Sequence, residues 1–498
     1  MMFSISTKQI QQFSLIIGAV LLGLSAVYTP IILSVVIIGL LLLIAISTSP
    51  LPVFALMLIL APLRTLIATE SAIQLPLDIG QLLFVIFAII WGWHRAIKSK
   101  QPLSIIVTPL FIAIAAFTIA VGLTVFSARS MPFWLTEWLK WVTILVIMVI
   151  VTDIGKARKW ELIVWALIAA GVANALVGIY IFFGGSGADH LLINGRFFRA
   201  FGTFGQPNPF GGFLGILLPI AMMSAYAYLM QLWNQWRTNR RIEVLLLAKL
   251  GYASMSAGII LIGIIVSWSR GAWLGLIVAV GVMAFCLPRK LWQSISLSAS
   301  ALLLIGAMWF GGLIPSAIQQ RVLSSTEELF SFSDVRGVDI TTVYYAIVER
   351  LAHWQAAMNM VRDNPWLGVG LGNYEVAYHE YRLINWEFPL GHAHNYYLNI
   401  LGEAGIIGFL FYVIMWLVII ITTWVVRSHP DILIRSLSVG MMGSWAYLAF
   451  HSLLDNLYVN NMFLHLGVML GLLAIFYQQL QNSISWGHYV SSNKRYKQ

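Results

Sequence analysis

Charge is what this sequence has least of. Only 10% of its 498 residues are Asp, Glu, Lys or Arg, where a soluble domain carries about 25%. Hydrophobic residues make up 60% of the chain, and its mean hydropathy is +0.85. One water-solvated core cannot absorb so many fully apolar helices, so a soluble globule is excluded. Cysteine is nearly absent: Cys286 is alone, which excludes an intramolecular disulfide and says little about redox compartment. There is no P-loop and no Cys/His run with metal-site spacing. Nor is there an internal repeat or a low-complexity segment. Lys8 precedes a long apolar run with no convincing small-residue cleavage site, so the start reads as a retained first helix rather than a cleaved signal.

What the sequence does have is apolar runs long enough to span a bilayer, from one end to the other. They fall at 12–28, 30–47, 51–63, 79–93, 104–127, 138–152, 160–184, 209–231, 244–267, 272–287, 291–312, 396–426, 436–454 and 461–480. The fold class expected is therefore all-α: a polytopic transmembrane helix bundle of about 12–14 spans with a largely helical external loop subdomain. The lower count applies if the short third span is half of a re-entrant pair. The division expected is 1–190, N-terminal transmembrane helices; 191–312, transmembrane helices with outer-face Arg motifs; 313–393, a large external loop; 394–480, C-terminal transmembrane helices; and 481–498, a cytoplasmic tail.

The net charge of +10 is better explained by cytoplasmic loops than by nucleic acid. The stretches WHRAIKSK (93–100), DIGKARKWE (153–161), WRTNRRIE (236–243), PRK (288–290) and NKRYK (493–497) all fall on one side of this layout. The positive-inside rule makes that side cytoplasmic and puts both termini there. The other face carries loop 185–208, the tight link at Ser269–Gly271 and the long segment 313–393. That segment contains the helix-compatible run 341–364, and a loop of this length is expected to be functional, a small subdomain capping the bundle.

The outward-facing basic residues are Arg64, Arg129, Lys140, Arg196, Arg199, Arg270, Arg321, Arg336, Arg350, Arg362 and Arg382, all Arg but one, whereas the inward set is evenly split. The planar guanidinium matches phosphate bidentately. An Arg-rich outer face therefore suits a phosphate or pyrophosphate ligand; the competing account is salt bridges with loop acids.

Three motifs lie on that face. GRFFRAFGTFGQPNPFGG (195–212) has two Arg, the amides Gln206 and Asn208, glycines that permit close backbone approach, and Pro209 where a helix would start. In IVSWSRGAWLG (265–275), Arg270 sits between two spans, near a helix N-terminus whose dipole disfavours a cation, so an anion is expected beside it. GHAHNYYLNILGEAGIIGFL (391–410) opens with His392 and His394 at the mouth of a span. A neutral His there can take a proton from a hydroxyl. Nine residues separate His394 from Glu403, which points them to opposite sides of one straight helix and disfavours a direct dyad. Glu403 is expected to cap or pack a helix end. His465, inside the last span, is expected to be a satisfied buried histidine.

These stretches, in this order, resemble the O-antigen ligase and Wzy-type polymerase superfamily, best over about 190 to 410. The most diagnostic part is His394, Asn395, Leu398, Glu403, Gly405 and Gly408; RAFGTFGQPN and SRGAWLG are similar to the family's entry loop and Ser-Arg-Gly turn. The resemblance implies glycan transfer at the outer face of a bacterial cytoplasmic membrane. The donor would be an undecaprenyl-pyrophosphate-linked glycan and the acceptor a glycan or lipid-linked sugar hydroxyl. Membrane lipids would be partners, and no cofactor, metal or nucleic acid would be needed. No paired-Asp motif for a metal-bound nucleotide sugar is seen, in keeping with this. On this reading His394 is the base, with His392 its local competitor. Arg270 and Arg199 hold the pyrophosphate, and Arg196, Asn208, Asn395 and Arg382 contribute to substrate binding. An inverting displacement is expected, since no carboxylate nucleophile is paired with an acid. The alternative from another class is a small-anion, bicarbonate-like transporter; against it, the polar residues gather at the outer ends of spans rather than at mid-membrane. A non-catalytic scaffold is a third reading, which the Arg and His set speaks against.

Overall fold

The computed structural model describes residues 50–63, 79–98, 103, 106–185, 191–193, 195–239, 243–313, 316, 319, 334–336 and 345–495. The expected spans 12–28 and 30–47, and Arg64 and Arg321, lie outside these residues. The elements are α1 (Pro50–Leu60), α2 (Ile79–Lys98), α3 (Pro109–Gly122), α4 (Met131–Ile154), α5 (Trp160–Tyr180), a hairpin of β1 (Leu192–Ile193) and β2 (Phe197–Phe198), α6 (Pro207–Asn239), α7 (Val244–Val266), α8 (Arg270–Cys286), α9 (Leu291–Phe310), α10 (Tyr345–Asp363), α11 (Tyr374–Tyr381), α12 (Tyr396–Val426), α13 (Ile432–His451) and α14 (Met462–Arg495). Among the described residues ten helices are long and apolar enough to cross a membrane, and Pro50–Leu63 and Arg270–Cys286 are shorter apolar helices. The protein is a multi-pass, all-α membrane bundle.

Local chemistry sets several helix starts. Thr108 caps α3 by accepting from Phe111 N, Asp431 caps α13 by accepting from Leu433 N and Ile434 N, and Ser269 caps α8 by accepting from Ala272 N. With lipid outside, helices associate through close packing rather than by escaping water, and small residues let backbones approach. A Cβ on Gly215 would run into the Tyr447 ring, and one on Gly440 would meet the Pro219 carbonyl, so α6 and α13 touch nearly backbone to backbone. The Tyr447 hydroxyl donates to Gly211 O at 2.8 Å and seals the same seam. His465 is buried and half satisfied: its Nε2 lies 2.8 Å from Leu58 O and its ring is edge-on to Phe213, while its Nδ1 has no hydrogen-bond partner among the described residues.

The two ends of the bundle differ in chemistry. At one end Arg95 and Lys156 meet Asp153, while Lys249 and Arg158 meet Glu161. The other end carries the hairpin, the turn 267–270, the cap helices α10 and α11, and the loop before α12. The segment 345–381 thus contains two helices, as its sequence pattern suggests. The cap is tied down at several points. Arg129 pairs with Glu380, Ser130 N donates to Asn373 Oδ1 at 2.5 Å, and Leu371 N donates to Thr124 Oγ1 at 3.1 Å.

The strongest tie is a break in α12. Gly405 has φ +64° and ψ −169°, a conformation essentially reserved for glycine. At this break α12 exchanges backbone hydrogen bonds with the cap. Val369 N and Gly370 N donate to Gly402 O and Glu403 O, and Ile406 N donates to Pro365 O. Glu403, buried, accepts from Tyr374 N at 3.1 Å and so caps the start of α11. The reading of Glu403 as a helix-end residue is correct, though the helix it caps is not its own. Replacing Gly405 by Ala adds the forbidden conformation to a collision with the Trp366 carbonyl. The expected loss is at least about 2 kcal/mol, with the cap undocked. Thermal unfolding in detergent and limited proteolysis of 345–381 check this; an unchanged melting temperature with a protected cap refutes it.

Candidate functional site

The loop before α12 is tightly wound. Leu390, Gly391 and His394 all have positive φ, His394 at +52°, which is uncommon for a non-glycine residue and marks a position held by its surroundings. Those surroundings are explicit. Ala393 N donates to Asn399 Oδ1 at 3.1 Å, and Asn395 Oδ1 caps α12 by accepting from Tyr397 N and Leu398 N. Tyr396 N donates to Ser452 O at 2.8 Å, fastening the loop to the end of α13.

One turn beyond α13 lies Asp455, 4% exposed. Its Oδ1 accepts from Asn456 N at 2.8 Å and stands 3.6 Å from His392 Nε2 and 3.7 Å from His394 Nδ1. Burial works against its charge, but the facing imidazoles, His394 first, more than offset this and hold Asp455 well below the usual carboxylate range. His392 goes the other way. Burial, then the neighbouring His394 and Arg350, lower it to about 4 despite Asp455, so it is neutral at neutral pH.

The hydrogen bonds fix the tautomer of His392. Its Nδ1 accepts from His394 N at 3.0 Å. The proton of the neutral ring is therefore on Nε2, which faces Asp455 at 3.6 Å. His394 has Nδ1 toward Asp455, and neither of its ring nitrogens is within hydrogen-bond distance of a described group. With a proton on Nδ1, its buried Nε2 carries a lone pair that no described group engages.

His392, His394 and Asp455 also bring three ligand atoms within 4.8 Å of one another, the donor set of an open zinc site. The His392 tautomer does not fit that use. Ligation through Nε2 would move its proton to Nδ1 and leave the His394 amide without its acceptor, at about 1–3 kcal/mol. The arrangement suits proton handling better than metal binding.

The expected site residues are distributed as follows. His392 and His394 share Asp455. Gly271, next to Arg270, packs so closely on His451 that a Cβ there would meet its ring at 2.8 Å, and Asp455 N donates to His451 O at 3.1 Å. Arg270 is the first residue of α8, at the positive helix end anticipated for it. The entry loop joins this turn twice: Ala200 N, beside Arg199, donates to Val266 O at 3.0 Å, and Ser269 Oγ donates to Asn208 Oδ1 at 2.8 Å. A chain of direct contacts thus connects all three motifs. Asn208 braces the turn, and the Oδ1 of Asn395 is committed to its helix cap. Arg196 is exposed at the hairpin tip, stacked on Phe197 at 5.0 Å. Arg382 stands 3.6 Å from Glu387. Arg129, Lys140 and Arg336 are paired with Glu380, Glu137 and Asp334, so part of the cation set expected to hold phosphate serves structure.

Sequence reasoning missed Asp455, His451, His353 and the closeness of Arg350 to His392. The signal available was the polar run HSLLDN (451–456) at the end of an otherwise apolar span. His353, on α10, is fully buried and edge-on to His394 at 5.6 Å. It stacks on Tyr378 at 4.7 Å, and its Nδ1 lies 2.9 Å from the Tyr374 hydroxyl.

Residues 255–413 match the family model described as O-Antigen ligase. The match runs from α7 through the turn at Arg270 and the cap to the first turns of α12, and it bears out the resemblance read from the motifs. Among curated proteins there is no match.

Burial, then the neighbouring His394 and His392, lower His353 to about 3. The folded cap keeps it neutral, while the unfolded chain takes up a proton below about pH 6.5. The unfolded state therefore binds more protons, and stability falls as pH drops from about 6.5 toward 3. His353→Gln keeps a hydrogen-bonding group and removes the titration. Hydrogen exchange of α10 across this pH range is expected to lose part of its pH dependence in the variant; identical profiles refute the assignment.

Proposed function

We propose that this membrane protein of the O-antigen ligase and Wzy-type superfamily transfers a glycan from undecaprenyl pyrophosphate to an acceptor sugar hydroxyl. The reaction would take place at the outer face of the bacterial cytoplasmic membrane, with both termini cytoplasmic. The observation that carries the reading is the contact chain from Arg270 and the entry loop through His451 to Asp455, His392 and His394. It connects guanidinium groups, which suit a pyrophosphate, with a free imidazole lone pair, which suits a hydroxyl. The orientation is supported by the basic clusters at the end of the bundle opposite the motifs.

In this mechanism His394 Nε2 takes the acceptor hydroxyl proton as the oxygen attacks the anomeric carbon. The bond from that carbon to the pyrophosphate oxygen breaks, and the leaving pyrophosphate carries off the electron pair. Arg270 and Arg199 stabilise the charge that develops there, with Arg350 a further cation beside the histidines. Asp455, facing the Nδ1–H without taking its proton, keeps the ring in the useful tautomer and balances the imidazolium once it forms. Support for His394 over His392 as the base is that the acceptor nitrogen of His392, Nδ1, is taken by the His394 amide, which leaves its Nε2 as the protonated one. One displacement inverts the anomeric centre. The His392 tautomer supports a reaction without metal. The transporter alternative is not favoured, since the family match is to O-antigen ligase.

The test is transfer from a purified lipid-linked glycan in the presence of chelator. His394→Ala is expected to lower transfer by about 10²–10⁴-fold with insertion and donor binding retained. Arg270→Lys is expected to impair it strongly because the bidentate fork is lost. His392→Ala is expected to be milder. Full activity of His394→Ala at neutral pH, or strict dependence on a divalent ion, overturns the mechanism. Ion flux through reconstituted protein with no transfer from any donor would favour the transporter.

A further inference from the structure

Next to the loop that carries the two histidines is a cavity of about 350 Å³, at the small end of ligand-sized cavities, about 300–1,000 Å³. Its wall comes from three directions: Phe133 and Glu137 of α4, Glu375 of the cap, and Tyr396, Asn399 and Glu403 of α12. Gly391 and Asn456 also line it, the sequence neighbours of His392 and Asp455. Neither Arg nor Lys is among its lining residues.

Tyr396 is the informative member. It is 6% exposed and its ring stacks on Tyr458 at 4.2 Å. Among the hydrogen bonds of the described residues, none is made by its hydroxyl; its backbone N–H alone is engaged, with Ser452 O. A hydroxyl on a side chain this deeply buried is ordinarily satisfied, so one that lines a cavity without a partner points to an occupant.

The lining defines the occupant's chemistry. Ionised carboxylates only accept hydrogen bonds, and amides and hydroxyls do both. A fitting ligand therefore offers many donors and an apolar ring face for Phe133, and it carries no negative charge. Glu375 disfavours a pyrophosphate here, as it does a uronic acid or a phosphorylated sugar, whereas Glu137 is paired with Lys140. We propose that this cavity is the subsite for the acceptor, a sugar residue that is neutral or carries an amino group, seated against Tyr396 beside the loop that bears His394. The proposal rests on the transferase reading above. It adds a division of labour: arginines hold the anionic donor, and a cation-free cavity takes the uncharged acceptor.

The test uses binding, independent of transfer. Full-length protein in nanodiscs is titrated with methyl β-glucoside, methyl β-glucosaminide and methyl β-glucuronide, read by saturation-transfer NMR, and separately with inorganic pyrophosphate. The glucosaminide and glucoside are expected to bind and the glucuronide to bind least. Tyr396→Phe removes only the hydroxyl and is expected to weaken glucoside binding by about three- to tenfold, the worth of one hydrogen bond, with pyrophosphate affinity unchanged. Glu375→Gln is expected to erase the preference for the amino sugar. Arg270→Lys is expected to do the reverse of Tyr396→Phe, weakening pyrophosphate alone. The proposal is overturned if the glucuronide binds as well as the glucoside. It is equally overturned if Tyr396→Phe leaves glycoside binding intact, or if no glycoside binds while pyrophosphate does. Selective glycoside binding without transfer from any lipid-linked donor would instead fault the transferase reading and leave the sugar site standing.

Discussion

A single buried carboxylate organises the chemistry of this protein. Asp455 is almost wholly removed from solvent, yet its environment keeps it ionised, because two imidazoles face the same oxygen. A lone charge so placed would be costly. Here the backbone amide of Asn456 donates to it, and the two imidazoles face it at 3.6 and 3.7 Å. The consequence runs outward. One imidazole, His392, is held as a donor by its backbone acceptor role. The other, His394, keeps a nitrogen that nothing described occupies. Two histidines with the same side chain, two residues apart, thereby acquire different capacities.

The rest of the architecture holds that arrangement in register. The turn bearing Asp455 continues α13, whose packing on α6 is fixed by glycines and by the Tyr447 hydroxyl. The loop bearing the histidines is fastened at Asn395, Asn399 and Ser452. The cap is locked to α12 by the break at Gly405 and by Glu403. The bundle and the cap are therefore parts of one device. Displacing the cap would remove His353 from the side of His394 and Arg350 from the neighbourhood of His392.

Much of this was legible in the sequence wherever the signal was local. Apolar runs predict helices, and the observed ones follow them closely. Ser269 and Asn395 have the residue types that cap helices, and they do. The placement of Arg270 at a helix start followed from the lack of any loop to hold it. What was not legible depends on long-range contact. Arg129 looks like a phosphate ligand until Glu380, 251 residues away, is found beside it. Glu403 caps a helix that begins 29 residues before it. Asp455 escaped notice because it follows an apolar span, and a lone carboxylate there has no meaning until the histidines are brought to it. The fold class came from composition; the pairing of functional groups came from packing.

The positive φ of His394 is held by the loop's own contacts. A left-handed histidine is disfavoured by about 1–2 kcal/mol, and a flexible loop would relax it by turning the ring away from Asp455. The hydrogen bond from its own amide to His392 opposes that relaxation, as do the buried Ala393, the capped helix start and the edge of His353. Each restraint acts on backbone or ring orientation, not on charge. That is what a proton acceptor requires: its lone pair must be aimed, and small misplacement of a reacting group is costly in rate. The strain at His394 is thus best understood as the local cost of aiming one nitrogen, offset by the many contacts that surround it.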